Sequence, residues 1–183
     1  VQSRRDLKTT AIHEAGHAVA MYRLPSHDPV RQISIVPRGR SLGATWYLPK
    51  DDSSNLTRNE MYEQIVGLLG GRVAEALYVG DISVGASNDI EQATKIARAM
   101  ISRYGMSDDF DMVEMESVSN QYLGGDSSLT CSFETQTMLD KKVVELVRKQ
   151  HEKALKILQD NIGKLHELAQ YLYEHETITG EEF

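Results

Sequence analysis

The sequence predicts a mainly α-helical fold with a small β-sheet, laid out as a single domain over residues 1–183 with a C-terminal helical part from 131 to 183. Three observations carry this expectation. Apolar residues recur at helical spacing through most of the 183 residues. Short β-like runs occur near the front, between Val30 and Leu48. Hydrophobic residues make up 40% and charged residues 26%, the balance of a chain that buries a core. The composition also excludes function classes. A net charge of −7 and a pI near 5.4 argue against a nucleic-acid binder, which needs a basic face. Cys131 is the one cysteine, so no intramolecular disulfide and no Cys-rich zinc site can form. No run approaches 18 consecutive apolar residues, so none is expected to span a membrane. The chain opens on Val1 without the make-up of a signal peptide, which reads as an excised or processed piece.

The first helix is expected from about Asp6 to Tyr22, with Leu7, Ala11, Ala15, Ala18, Val19 and Tyr22 at helical spacing and Pro25 as its stop. Two strands follow, Val30–Pro37 and Gly43–Leu48, separated by the turn-like Arg38-Gly39-Arg40-Ser41. Strands this short need a helix behind them, which places the pair against the first helix. Thr57 and Glu60 form a capping box for a second helix whose apolar face includes Met61, Ile65, Leu69 and Val73. A glycine inside a helix costs about 1 kcal/mol against alanine. The Gly70-Gly71 pair therefore implies another backbone packed very close. A third helix repeats Ile90, Ala93, Ala97 and Ile101, with Asn88 and Glu91 as its cap. Residues 105–132 read as the least regular part, with acidic Asp108, Asp109, Asp111, Glu114 and Glu116. Helices from about Phe133 to Gln159 and from Asn161 to Glu176 follow, and their leucine stripes are expected to pack on each other. Thr179-Gly180-Glu181-Glu182 reads as one more capping box.

The chemistry concentrates in the first helix. His13-Glu14-Ala15-Gly16-His17 is an HExxH pattern. Residues four apart leave the same face of a helix, so both imidazoles can meet one metal ion. Glu14 stands beside them, placed to exchange protons with water without ligating the metal. The plainer alternative is a set of polar residues on a solvated face. Two histidines do not complete a catalytic zinc site, which needs a third protein ligand. The longer metzincin pattern is absent, because Ala20 and Arg23 stand where glycine and histidine are required. His27, His151, His166 and His175 have no supporting spacing. A carboxylate remains, and two helices offer one: Glu75, just after the glycine pair, and Asp89, in the first turn of the third helix. Each also has a structural explanation, as a solvated helix residue and as an acid at a helix N-terminus respectively. Spacing alone leaves the ligand open between them.

Several segments together resemble the peptidase domain of the FtsH-type, ATP-dependent zinc metalloproteases. They are His13–His17, His27–Pro49, GGRVAE at Gly70–Glu75, GASNDIEQATKIARAM at Gly85–Met100, YGMS at Tyr104–Ser107 and YLGG at Tyr122–Gly125. The order matches, and the segments cover most of the first 125 residues. The resemblance implies an HExxH zincin-like helical peptidase domain, with residues 1–130 as its catalytic part and a C-terminal helical region. It implies Zn2+ held by His13, His17 and Asp89, Glu14 as the catalytic carboxylate, and Glu75 as a carboxylate near the histidine ligands. It further implies a zinc endopeptidase acting on unfolded polypeptides, a hexamer, and an ATPase module and transmembrane segments in a full-length protein at the cytoplasmic face of the cell membrane. These 183 residues contain no G-x-x-x-x-G-K-[ST] loop of their own. The stretch Asp109-Phe110-Asp111-Met112 departs from the family's more usual leucine-glycine-proline.

Two other readings compete. A catalytically silent ring-assembly module would keep the helices but has no need of Glu14. A deformylase also uses HExxH but wants a cysteine ligand, and Cys131 lies in an ordinary polar stretch.

Overall fold

Side-chain caps decide where most of the helices begin. Ser3 Oγ accepts the Asp6 amide at 3.2 Å and opens α1 (Arg4–Tyr22). Thr57 and Glu60 make both bonds of the expected capping box at the start of α2 (Arg58–Val79). That helix ends at Gly80, whose φ of 80° is the left-handed conformation a glycine adopts without strain. The third helix, α3 (Ser87–Ser102), starts differently from expectation. Asn88 is not its cap; a single 3-10 turn at Val84–Ala86, capped by Ser83 Oγ on the Gly85 amide, runs straight into the helix. Ser132 Oγ accepts the Thr135 amide and opens α4 (Phe133–Asp160), and α5 (Ile162–His175) follows after Asn161. The computed structural model describes residues 3–26, 29–36, 44–47, 55–119, 126–129 and 131–183. His27, the turn at 38–41, the ends of the expected strands at Pro37, Gly43 and Leu48, and the 122–125 motif lie outside the described residues.

Strands β1 (Val30–Ser34) and β2 (Ala44–Tyr47) form the expected antiparallel pair and rest on α1. The pairing slips between Val30 and Gln32, a bulge that accommodates the uneven spacing of Val30 and Ile33. The 105–132 region is more ordered than its sequence suggests, since β3 (Glu116–Ser119) and β4 (Asp126–Leu129) pair as an antiparallel hairpin. A further strand, β5 (Thr177–Thr179), joins the other edge of β1 and gives the order β2-β1-β5. Thr179 and Glu182 do make the bonds of a capping motif, at 3.1 and 3.4 Å, but in a turn that follows this strand. Pairing satisfies a row of backbone groups along β1, which a local cap cannot do.

The core forms around α1. Every residue from Thr10 to Met21 is buried, so this stretch of the helix has no solvated face, while most of its first turns and Tyr22 are exposed. It is enclosed by α2, α5, β1 and part of α4. The C-terminal helices do not chiefly pack on each other. Instead α4 lies on α2 and α3, and α5 lies on α1. Their leucines, among them Leu139, Leu158, Leu165 and Leu172, thus enter the same core as the first helix.

The glycine pair explains how α1 and α2 approach. A Cβ on Gly70 would lie 2.8 Å from the Gly16 carbonyl oxygen, and one on Gly16 would lie 2.5 Å from the Gly70 oxygen. The close backbone neighbour expected from the sequence is therefore the HExxH helix itself. Gly71 faces the imidazoles: a Cβ there would stand 2.6 Å from His13 Nε2 and 2.7 Å from His17 Nε2.

Candidate metal centre

One turn of α1 presents His13 and His17 toward the crossing with α2, and the first turn of α3 brings Asp89 against them. Three side-chain atoms converge. His13 Nε2 and His17 Nε2 are 3.0 Å apart, and Asp89 Oδ2 lies 3.0 Å from the first and 3.1 Å from the second. Glu14 is buried beside them and brings a carboxylate oxygen to within 4.8 Å of both imidazoles. The solvated-face alternative is overturned, because His13, Glu14 and His17 are only 8%, 6% and 5% exposed.

A hydrogen bond behind the His17 ring sets its orientation, and a carboxylate stands behind that of His13. His17 Nδ1 donates to the Gly67 carbonyl at 2.8 Å, which leaves the lone pair of a neutral ring on Nε2, facing the cluster. His13 Nδ1 faces Glu75, with Oε1 at 3.8 Å. Glu75 therefore stands on the far side of the His13 ring from the three converging atoms, and Asp89 is the carboxylate that meets both Nε2 atoms. Ser83 donates to Glu75 Oε1 at 2.7 Å, and Arg72 Nη2 donates to the Ser83 carbonyl at 3.0 Å.

The cluster is strongly polarised. Burial disfavours the charged His13 ring, yet the hydrogen bond with Asp89 and the nearby Glu75 carboxylate, aided by the charges of Glu14 and Asp89, outweigh it and push the pKa up to about 9. Burial opposes ionisation of Asp89 too, but the bonds from both histidines hold its carboxyl well below the usual range. Glu75 is likewise lowered against its burial, by His13 and by Ser83. Two carboxylates are thus held down around one raised imidazole, each against its own burial.

The other described histidines stay away. His166 shares a hydrogen bond with the Tyr78 hydroxyl at 3.2 Å, His175 Nδ1 donates to the Tyr171 carbonyl, and His151 is exposed on α4. Sequence reasoning missed Ser83, Arg72 and the Gly67 carbonyl. The glycine pair announced close packing but not that Gly71 makes room for imidazoles, and Ser83 carries no sequence signal at all.

A buried HExxH helix, crossed at glycines by a second helix and met by a carboxylate from a third, defines a metallopeptidase-type centre. The sequence model of peptidase family M41 matches residues 1–183, and the chain belongs to that family, of the FtsH type. Among its relatives, the protein named ATP-dependent zinc metalloprotease FtsH of Caldicellulosiruptor bescii is 42% identical over 186 residues, covering 100% of this chain and 30% of its own. Its namesake in Lancefieldella parvula is 45% identical over 184 residues, with 100% and 29% covered. That of Cupriavidus metallidurans is 41% identical over 183 residues, with 100% and 28% covered. The chain thus spans less than a third of the length of these relatives.

Proposed function

We propose that the chain is a zinc-dependent endopeptidase domain, with His13, His17 and Asp89 as metal ligands and Glu14 as the catalytic carboxylate. The observation that carries this is the triangle of His13 Nε2, His17 Nε2 and Asp89 Oδ2, with sides of 3.0, 3.0 and 3.1 Å. Nitrogen and oxygen donors at about 2.0–2.1 Å from a tetrahedral zinc sit roughly 3.3 Å apart, so the three residues present fit that ion within a few tenths of an ångström. A Cβ on Gly71 would fill the same space. The relatives' name, zinc metalloprotease, supports the choice of metal.

When bound, zinc supplies Lewis acidity, polarising a carbonyl and bringing the pKa of a water toward about 7. The chain's own residues supply the rest. Glu14 takes the proton of the attacking water and passes it to the leaving amine, acting as base and then as acid. His17, tied to Gly67, keeps its ring from turning. The Glu75 carboxylate, 3.8 Å from His13 Nδ1, faces the remaining ring proton and favours it on that nitrogen. Asp89 completes the ligand set, and Glu14, whose carboxylate lies within 4.8 Å of the imidazoles, carries the proton transfer. An extended substrate would add to the outer edge of β2. Strand β1 was the other candidate for this edge, but it is paired on both sides, by β2 and β5.

We further propose that this domain, its residues 1–183 acting as one unit, serves an ATP-dependent protease. The ATPase module, the membrane segments and the sixfold ring belong to a longer protein at the cytoplasmic face of the membrane, and the substrates are unfolded chains. Among the described residues no helix is long and apolar enough to cross a membrane.

Zinc per chain and casein hydrolysis, measured on the parent and three variants with circular dichroism to check folding, test the assignments. Glu14→Gln is expected to keep zinc and abolish hydrolysis. Asp89→Asn is expected to lose most of the zinc. Glu75→Gln is expected to keep zinc with an affinity or rate reduced about 10–100-fold. Zinc lost from Glu75→Gln but kept by Asp89→Asn would reverse the ligand assignment. Hydrolysis by Glu14→Gln at the parent rate would remove the mechanism. Stoichiometric zinc without any cleavage by the parent would favour the silent assembly module.

A further inference from the structure

The turn between α2 and α3 delivers Asp89 to the cluster, yet most of it faces solvent: Ile82 is 55% and Val84 88% exposed. Among the described residues, its side-chain hydrogen bonds to α2 are both made by Ser83. Ser83 accepts from Arg72 Nη2 on its carbonyl at 3.0 Å and donates its hydroxyl proton to Glu75 Oε1 at 2.7 Å. The same hydroxyl oxygen accepts the Gly85 amide at 3.2 Å, capping the 3-10 turn that runs into α3. A serine hydroxyl has one proton to give and lone pairs to spare, so both bonds form together. Arg72 and Glu75, three residues apart, share a face of α2, and Ser83 lies within reach of both.

We propose that Ser83 is a positioning residue of the metal centre, acting through Glu75 on the His13 ligand. This rests on the zinc reading given above. For His13 to offer Nε2 to a metal, its ring proton must sit on Nδ1, and the carboxylate facing Nδ1 is Glu75 at 3.8 Å. Glu75 is 2% exposed, so its position is set chiefly by its protein neighbours. Its Oε2 and His13 Nδ1 are both buried without a hydrogen bond among the described residues. The strong bond to this carboxylate is the one from Ser83. Removing that hydroxyl would leave Glu75 free to rotate, the His13 tautomer unsupported, and the turn before Asp89 uncapped.

The test is the zinc affinity of the full 183-residue chain, read by competition with a chromophoric chelator and without reference to peptidase rate. Ser83→Ala is expected to weaken zinc binding about 10–100-fold, the usual consequence of removing a partner behind a metal ligand. Ser83→Thr, which restores the hydroxyl, is expected to hold zinc as the parent does, while a merely space-filling role would not distinguish a hydroxyl from a methyl. In a Glu75→Gln background, Ser83→Ala is expected to add little, because the two act on the same ring. Parent-like affinity in Ser83→Ala, equal weakening in Ser83→Thr, or fully additive losses in the double variant would each overturn the proposal. A parent chain that holds no zinc would overturn the metal reading itself, and this inference with it.

Discussion

Two regions bring side chains to the same point by different means. At the α1–α2 crossing, helix backbones touch at Gly16 and Gly70, and His13 and His17 are themselves buried among the residues of this contact. On the opposite side, Asp89 comes from the first turn of α3, behind a largely exposed turn fastened at Ser83. The first region is rigid because small residues admit no gap, and interiors at that density transmit any added volume. The second depends on a few hydrogen bonds, each worth about 1 kcal/mol net, more where a charge takes part. The imidazole pair should therefore be sensitive to bulk, and the carboxylate to charge and to its fastening.

The largest expected effect is that of bulk at the rings. A methyl group on Gly71 would meet His13 Nε2 at 2.6 Å and His17 Nε2 at 2.7 Å, so the rings must turn out of their converging position. Gly71→Ala is expected to lose zinc more completely than the about 10–100-fold typical of removing an outer partner, while remaining folded, because side-chain ends can move. Zinc titration with circular dichroism checks both halves. Parent-like zinc binding would show the rings to be less confined than the crossing suggests.

Bulk at the backbone comes next. In Gly16→Ala the added Cβ meets the Gly70 carbonyl oxygen and the Ala74 Cβ, both at 2.5 Å, and neither is the end of a flexible chain. Better helix propensity contributes about 1 kcal/mol in favour, but prying two helices apart costs about 1–3 kcal/mol or more. The net expectation is a loss of stability, read as a melting temperature lower by about 2–4 °C per kcal/mol for a chain of this size. A variant that melts higher than the parent would mean that the helices can part cheaply.

How much of this was legible in the sequence follows the same division. HExxH was readable because its geometry is local: four residues of helix fix the relation of the two imidazoles. The Thr57–Glu60 box was readable for the same reason, and Gly70-Gly71 announced a close approach. The sequence left Glu75 and Asp89 level as ligands. Both are acids on helices, and which reaches Nε2 depends on how α2 and α3 are set against α1. The all-round burial of α1 from Thr10 to Met21 was hidden as well, since Thr10, His13, Glu14 and His17 break any apolar stripe. Strand β5 was hidden because three residues carry little pattern, and its partner β1 lies more than 140 residues away. The peptidase family was visible in the ordered motifs, and the match over residues 1–183 bears it out.

Charge tests the carboxylate side of the comparison. With zinc removed, His13 has a pKa near 9 in the folded chain against 6.5 unfolded, so its contribution to stability is complete below pH 6.5 and is lost as pH rises through 9. Asp89 and Glu75 are lowered from 3.8 and 4.5, so theirs is present above those values and lost as pH falls through the folded ones. The metal-free chain is therefore expected to be most stable between about pH 4.5 and 6.5 and to weaken toward pH 9. Zinc must displace the His13 proton, so the rise in melting temperature on adding zinc is expected to grow over the same alkaline range. Melting curves from pH 4 to 9.5, with and without zinc, read both slopes. A flat metal-free curve between pH 6.5 and 9 would mean that Asp89 docks only once metal is present.

The smallest expected effect checks that the crossing is insulated from the ends of its helices. Thr57, exposed, and Glu60, half-buried, lie at the start of α2, and their bonds satisfy amides that no helical carbonyl can reach. Thr57→Ala is expected to cost about 1 kcal/mol, or about 2–4 °C in melting temperature. The first residue of α2 that touches the centre is Gly67, ten residues on and hence about 15 Å along the axis. Between them Ile65 and Val66 are fully buried and hold the helix to the core, so fraying at Thr57 should stop short of the crossing. Zinc affinity in Thr57→Ala is accordingly expected to match the parent while the melting temperature falls. If affinity and stability fell together, the rigidity assigned to the α1–α2 crossing would depend on the whole length of α2 rather than on the glycine contacts, and the contrast with the hydrogen-bonded approach of Asp89 would lose its basis.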